Sequence, residues 1–566
     1  MDETVLEIVK KAVKKLSINI DDPRLKSIIE IPKDRSKGDF AFPCFSLAGT
    51  MKMPPHEIAV SLREAIGNPP ADFKDVVVEG AYLNFFIDRK KLAINLIKEI
   101  EGKKNNFGRS EAGNGKNTMI EFSQPNTHKA FHVGHIRGTA IGESLARISE
   151  FSGEKVIRAN YSGDTGMHIA KWIWCYRKYH SREKLKNSEK WIASIYVEAV
   201  KKIPKLKKAQ DEVEEINRKL DSKEDPEINK LWEKTRALSI ESWKKIYQEL
   251  DTHFDVHFFE SDVEKRGREI ANELIKRKIA KVDEGATIIK FEDENLGTWV
   301  LLRKDGTVLY SAKDLALAEM KFNKYKIEKS IYIIGAEQSL HIAQLFRTLE
   351  LMKFKNADKC RFIPVSEVRL PTGKMSSRTG DNILYSEFME EMVKFAKKGI
   401  KARDKKVSKP ELEKRALAIS IAAIKYSMLK QSSNRNIIFS KEESFNFEGN
   451  TGPYLLYSYA RASSIINKSK FLGELLQNFD LDEKEAEMVL KMKEFKNIIE
   501  KAHEDLNPSV LANYSYELSK IFNEFYHSSE VLGSQKENFR LHLVKAFSQV
   551  LENSLYLLGI KILERM

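Results

Sequence analysis

Two histidines three positions apart, His132 and His135, flank Gly134 in the segment EFSQPNTHKAFHVGHIRGTAIGESLARI, where an extended run gives way to helix periodicity. A helix start offers unsatisfied N–H groups and a positive dipole end, which favour bound phosphate. Two imidazoles placed there can donate hydrogen bonds to charge developing on a five-coordinate phosphorus, and Gly134 leaves room for a purine ring against the backbone. Two plainer readings compete. A metal pair wants a third ligand at a recognisable spacing, and none is evident; a pair of ordinary histidines at a helix start asks for nothing more.

Downstream, PTGKMSSRTG sets Lys374, Met375, Ser376 and Ser377 in a glycine-flanked loop. A lysine on such a loop can close over the β- and γ-phosphates and neutralise departing pyrophosphate. Taken alone, the string also reads as chance or as solvated loop. Placed after HVGH in one chain, across an α/β segment, it becomes half of a strong joint signal. The stretch GRSEAGNGK, from Gly108 to Lys116, lacks the Gly-Lys-Ser/Thr ending of a P-loop, which excludes that phosphate cradle.

The elements that must position these residues form an α/β sheet: TMIEF, KVIRANY and SIYIIG have the β-branched density of buried parallel strands. The N-terminal part alternates helical and extended segments through AYLNFFID to a helix over Lys90–Glu101, and GKKNNFGRSEAGNGKN reads as a domain linker. Between Tyr176 and Leu250 the pattern turns to long, charged helix periodicity with Pro204 and Pro226 as its breakers, a helical insertion whose mixed charge suits a solvated surface. After the lysine loop, KKGIKARDKKVSKP reads as a basic tether. Beyond Glu411 helix periodicity continues without a convincing strand, as in an α-helical bundle. Its most apolar stretch, Ala416 to Leu429, is interrupted by Ser420 and Lys425 and is shorter than the roughly 20 residues a bilayer core needs, so it reads as a core helix.

At 566 residues the chain exceeds one hydrophobic core and predicts several domains. With 42% apolar and 31% charged residues it is foldable rather than disordered. A net charge of +14 and a pI of about 9.2 suit an anionic partner such as RNA; a lysine-rich proteome would give the same balance. Cys44, Cys175 and Cys360 form no Cys-x-x-Cys pair, which argues against a disulfide scaffold or zinc knuckle and for buried packing. The opening MDETVLEIVKKAVKKL is acidic and then amphipathic, without a small-residue cleavage site, so a cytoplasmic protein is expected.

With HVGH and KMSS the chain resembles the class I aminoacyl-tRNA synthetases. Four further segments narrow the resemblance to the arginyl type: NYSGDTGMHIAKW, VLYSAKDLALA with its Tyr-x-x-x-Asp element, IYIIGAEQSLHIAQLF with Glu-Gln-x-x-His-x-x-Gln, and FEGNTGPYLLYSYARASSI. The resemblance implies a Rossmann-like α/β catalytic domain (113–400, helical insertion about 176–250), an α+β N-terminal domain (1–112) that grips the tRNA elbow, and an all-α C-terminal anticodon-binding bundle (411–566). It implies activation of L-arginine by ATP with Mg2+ and transfer to tRNA(Arg) by a monomer, with no membrane association and no resident metal. A cysteinyl-type enzyme would want zinc-type cysteines and lacks the Thr-Gly-Pro-Tyr segment. A noncatalytic tRNA-binding paralogue would not be expected to keep His132, His135 and Lys374.

The resemblance also implies a site. A guanidinium carries five donors and a permanent charge and is best held by carboxylates in bidentate geometry. Asp314 is the first candidate. Glu260, in FDVHFFES, is the second, although Phe259 stands where the family shows the glycine of Gly-Glu-Ser. Tyr310 would pack on the arginine stem or the guanidinium plane. Glu121, Asn126 and Gln338 match positions that hold the α-amino end. Gly335 and His341 join His132, Gly134, His135, Lys374, Met375, Ser376 and Ser377 around ATP. Lys129, just ahead of HVGH, is a second phosphate neutraliser, and which lysine contributes more stays open. For RNA, Asn84 and Phe86 would read and stack a splayed base, against the plainer roles of strand-end Asn and buried strand Phe. Tyr454, Tyr457, Tyr459 and Arg461 suit unstacked anticodon bases, though some of them must be core.

Overall fold

The computed structural model describes residues 2–18, 25, 28–32, 34, 37–69, 73–291, 295–371, 373–374, 383–469 and 473–566. The chain divides into two compact units, one of residues 1–104, 469–493 and 524–546, the other of 105–468, 494–523 and 547–566.

The first unit is α+β. Its sheet contains β1 (Phe40–Pro43), β2 (Phe73–Glu79) and β3 (Tyr82–Ile87), antiparallel in the order β1-β3-β2. Helices Asp2–Lys15 and Pro55–Ile66 place Val5, Val9, Ile58 and Leu62 in one core with Phe42, Leu83 and Phe85 from the strands. Asp39 is buried but satisfied: its carboxylate accepts from the Ile87 N–H and pairs with Arg89, both at 2.9 Å.

The second unit is built on a five-stranded, all-parallel sheet of β4 (Asn117–Glu121), β5 (Lys155–Ser162), β6 (Val256–Phe259), and, after a three-stranded antiparallel sheet of β7 (Lys281–Asp283), β8 (Ala286–Phe291) and β9 (Gly297–Leu302), of β10 (Lys329–Gly335) and β11 (Cys360–Val365). The parallel order is β11-β10-β4-β5-β6. From β4 the chain steps outward through β5 and β6, then returns and steps outward on the other side through β10 and β11. The order therefore reverses between β4 and β10, and the carboxyl ends of these two strands open a crevice of the kind that binds ligands in doubly wound sheets.

The helix Val133–Phe151 crosses from β4 to β5 and is buried along almost its whole length. Gly142 allows its approach: a Cβ there would lie 2.1 Å from the ring of Phe122. Between β5 and β6 run the helices Met167–Cys175, Glu189–Lys202, Ala209–Ser222 and Pro226–Glu249, the expected helical insertion. Pro226 starts the last of these rather than breaking it, because Asp225 caps the N–H groups of Glu227 and Ile228.

Two segments are more ordered than their composition suggests. The linker after Lys103 is pinned, with Gly113 N–H donating to Ser152 O at 2.7 Å and Gly115 N–H to Gly153 O at 3.0 Å. The basic tether is helical as far as Arg403, within Tyr385–Arg403; Met389, Met392, Ala396 and Ile400 are buried at helical spacing, so its lysines only coat the outer face. From Lys409 onward, the described elements longer than four residues are all helices, including Lys409–Leu429, Gly452–Lys468, Ser509–Ser528 and Glu537–Leu557. No described helix is long and apolar enough to cross a membrane.

Candidate active site

A cleft of about 480 Å³ opens at the strand-order reversal, lined from the end of β4 by Glu121, from the following loop by Asn126, from the helix start by His132, Gly134 and His135, and from the end of β10 by Gly335 and Gln338. Glu260, at the first position of helix Glu260–Lys276, and Tyr310 and Asp314, in the first turns of helix Tyr310–Tyr325, complete the wall. Ten of the residues singled out in the sequence thus meet in one cleft.

The loop after β4 is held in an uncommon shape. Ser123, Gln124 and His128 all have positive φ, at 77°, 52° and 63°, conformations that cost non-glycine residues on the order of 1–3 kcal/mol each. Side chains from the helical insertion hold it: Tyr247 OH meets Ser123 Oγ at 3.1 Å, Ser239 Oγ accepts from the His128 N–H at 3.1 Å, and Thr235 Oγ1 lies 2.7 Å from His128 Nε2.

His132 is the N-cap of the helix, and its backbone N–H donates to Nδ1 of His135 at 3.1 Å. The rings stack with centroids 3.9 Å apart. Burial, with Lys129 adding to it, pushes His132 down to about 4. Burial, His132 and Lys129 hold His135 well below the ordinary imidazole range. Both rings are neutral near pH 7, and since Nδ1 of His135 accepts, its proton resides on Nε2. The pair is therefore a set of neutral donors in the cleft wall, not a general acid at that pH. Gly134 abuts this pair, for a Cβ would come 3.0 Å from the His132 ring.

The carboxylates divide by what already holds them. Glu121 pairs with the buried Lys321 at 2.6 Å and accepts from Gln124 at 2.8 Å, so the group expected to receive an ammonium already neutralises a lysine. Glu260 meets Lys313 Nζ at 2.9 Å and Thr165 Oγ1 at 3.2 Å; burial pushes its pKa above the ordinary carboxylate range while Lys313 opposes the rise. Asp314 faces no cationic lysine or arginine among its described partners. It accepts from His341 Nε2 at 2.6 Å, and the Trp299 indole N–H donates to Nδ1 of the same ring at 3.1 Å. An indole N–H only donates, so His341 carries its proton on Nε2 and aims it at Asp314. His341, expected beside ATP, thus stands behind the guanidinium candidate. Tyr310 is 57% exposed, with its ring edge-on to His341 at 4.7 Å, and is not a core residue.

Sequence reasoning missed Lys313 and Lys321, whose pairing depends on the fold, and Tyr161, which lines the cleft while its buried hydroxyl has no hydrogen-bond partner among the described atoms. Gly163 was legible in NYSGD: a Cβ there would lie 2.5 Å from Asn126 Oδ1, which accepts the Gly163 N–H at 3.0 Å. Lys129 is outside the cleft lining, its ammonium 5.7 Å from the ring centre of Tyr196 in the insertion. Lys374 lies on a two-residue strand, Gly373–Lys374, paired antiparallel with the short strand Val368–Leu370. Met375, Ser376 and Ser377 fall outside the described residues.

Of the residues expected to touch RNA, Asn84 is buried in β3 and donates to Glu79 at 3.3 Å, so as placed it does not present its amide to a base, whereas Phe86 is partly exposed. In helix Gly452–Lys468, Tyr459 is buried with its hydroxyl on Glu552, as a core residue would be. Tyr457 is exposed, with the Arg461 guanidinium 4.6 Å over its ring, and Tyr454 is partly exposed.

Family models match almost the entire chain: "tRNA synthetases class I (R), catalytic domain" over 97–441, "DALR anticodon binding domain" over 455–566 and "Arginyl tRNA synthetase N terminal domain" over 3–87. The arginine–tRNA ligase of Clostridium acetobutylicum is 34% identical over 568 residues, covering 99% of each chain. That of Clostridium perfringens is 34% identical over 559 residues, covering 97% of this chain and 98% of the relative. Among solved structures, Thermus thermophilus arginyl-tRNA synthetase matches at 25% identity with a TM-score of 0.82 and full coverage of both chains.

Proposed function

The chain belongs to the arginyl-tRNA synthetase family of class I aminoacyl-tRNA synthetases, and we propose that the cleft between β4 and β10 is where its arginine meets ATP. The protein is an arginine–tRNA ligase. The arginine carboxylate attacks the α-phosphorus of ATP, which enters with Mg2+ as part of the substrate. The bond to the β-phosphate breaks and pyrophosphate leaves. The terminal 2′ hydroxyl of tRNA then attacks the adenylate carbonyl, forming the ester and releasing AMP.

Each side chain has a task in this reading. His132 and His135, neutral at working pH, donate to the phosphoryl oxygens as charge builds there, at the positive end of a helix. Lys374 and Lys129 neutralise the outgoing phosphates. Asp314 faces the guanidinium with Tyr310 over its plane, and Asn126, Gln338 and the Glu121–Lys321 pair orient the α-amino and carboxylate end. The Tyr161 side chain, in the cleft lining, serves as a further contact to the amino acid. Residues 1–112 grip the tRNA elbow through Phe86, and 411–566 receive the anticodon at Tyr454, Tyr457 and Arg461. We take the enzyme to be a cytoplasmic monomer.

The observation that carries the reading is that the stacked neutral histidines and the His341-oriented Asp314 face the same cleft. ATP–pyrophosphate exchange, measured with each of the twenty amino acids with and without tRNA, tests it. Arginine alone should support exchange, and only with tRNA present. Exchange with cysteine would overturn the substrate assignment, and strong exchange without RNA would overturn its dependence on tRNA.

A further inference from the structure

The helix Met167–Cys175 continues into one π-type turn, Tyr176–His180. Hydrogen bonds in such a turn span five residues rather than four. Cys175 and His180, five apart, therefore share a face that α-helical spacing would have split. Helix Glu189–Lys202 brings Glu198 to the same point. The Cys175 sulfur, a ring nitrogen of His180 and a carboxylate oxygen of Glu198 lie within 4.8 Å of one another, the one such trio among the described residues.

We propose that Cys175, His180 and Glu198 bind one zinc-type divalent cation, with water as the fourth ligand. Thiolate sulfur, imidazole nitrogen and carboxylate oxygen are the donors zinc accepts in tetrahedral sites. The thiol proton leaves to solvent on binding, and the imidazole binds in its neutral form.

The surroundings supply the outer support such ligands need. Nδ1 of His180 lies 2.6 Å from Glu183, the carboxylate partner that fixes a ligating imidazole, which leaves Nε2 toward the cation, 2.9 Å from Glu198 Oε2. Glu198 is anchored through its other oxygen, 2.7 Å from Lys202 Nζ. Glu183 is itself fixed by the Trp191 indole N–H and by Lys186, each at 3.2 Å. Cys175 is fully buried, whereas His180 and Glu198 are partly open to solvent. The open side is the entry path and the place for the water ligand. The cation would tie two helices together beside the insertion core of Trp172, Ile192 and Ile195, a structural role independent of the reaction.

Without a cation, the same atoms form an ion cluster in which His180 sits between Glu183 and Glu198. Cobalt(II) distinguishes the two. Titrated into the chelator-treated full-length protein, one equivalent should give tetrahedral d–d absorption together with a sulfur-to-cobalt charge-transfer band, both bleached by Zn2+. Cys175→Ser, nearly isosteric, should abolish the charge-transfer band. Glu183→Gln should weaken cobalt binding by roughly 10–100-fold. A wild-type protein with no such band would overturn the proposal without depending on how any variant folds. A band that survives Cys175→Ser would overturn it by placing the metal on Cys44 or Cys360.

Discussion

His341 Nε2 lies 2.6 Å from a carboxylate oxygen of Asp314, and the other ring nitrogen accepts from the Trp299 indole at 3.1 Å. The indole thereby fixes the tautomer that aims Asp314 at the cleft. Asp314→Asn keeps shape but removes charge, so arginine should lose on the order of 2–5 kcal/mol of binding while neutral citrulline loses less. Trp299→Phe removes one neutral hydrogen bond, worth about 0.5–1.5 kcal/mol, and should raise the arginine KM with kcat nearly unchanged. Titrations of both ligands with tRNA present provide the check. An unchanged arginine-to-citrulline ratio in Asp314→Asn would move the guanidinium elsewhere.

Glu260 is the natural place to look next, but Lys313 already occupies it at 2.9 Å. Glu260→Gln would strand the nearly buried Lys313 ammonium, at a cost of about 3–5 kcal/mol. Glu260→Gln combined with Lys313→Met removes both charges and should recover most of that loss in thermal midpoint while preserving discrimination against citrulline. If the double variant discriminates as poorly as Asp314→Asn, Glu260 shares the guanidinium.

How much of this site was legible follows from how local each signal is. HVGH declared itself because a helix start and two imidazoles are encoded within four residues, and the Tyr310–Asp314 pair because one helical turn holds both on one face. What each carboxylate pairs with was not legible: Lys321 reaches Glu121, and Trp299 reaches His341, only once the sheet and the β7–β9 hairpin layer are assembled. The partner of Asn84 was hidden for the same reason, since alternation in β3 does not reveal that Glu79 across the turn accepts from its amide. The tether misled because its lysines mask a buried stripe that begins upstream at Met389 and Met392.

The neutral histidine pair and the lysine loop should act on the reaction rather than on affinity. His135→Ala removes one preorganised donor, an effect typically worth about 2.7–4 kcal/mol of transition-state stabilisation. It should depress turnover by roughly 10²–10³-fold with little change in arginine binding, and Lys374→Ala should act in the same direction. Single-turnover adenylate formation is the measurement. Normal rates with a raised arginine KM in both variants would remove these residues from catalysis.

Acid should destabilise this fold through its buried histidines. Burial pushes His128 from 6.5 down to about 3 and, with Lys129, pushes His132 down to about 4. As pH falls below 6.5 the unfolded chain takes up protons that the folded one refuses, so the stability present above 6.5 drains away. Each group contributes a slope of about 1.4 kcal/mol per pH unit, ending near 4 for His132 and near 3 for His128. His128→Gln, which can still bond Thr235, should flatten the decline of the thermal midpoint between pH 6.5 and 4. Equal slopes in variant and wild type would mean that His128 is protonated in the native protein.

Two glycines in helices should respond oppositely to alanine. Around Gly399, in helix Tyr385–Arg403, a Cβ would find nothing within 4 Å, so Gly399→Ala should stabilise by about 0.8–1.0 kcal/mol through helix propensity alone. At Gly142 the same atom would lie 2.1 Å from Cγ of Phe122. The helix Val133–Phe151 would have to move away from the loop after β4, and overpacking of this kind costs about 1–3 kcal/mol. That helix carries His132 and His135 at its start, and a displacement of about 1 Å can cost roughly 10²-fold in rate. Gly142→Ala should therefore lower both the thermal midpoint and kcat, and Phe122→Leu in the same chain should return part of each by yielding space. If Gly142→Ala keeps full turnover, contact with Phe122 does not set the position of the catalytic helix.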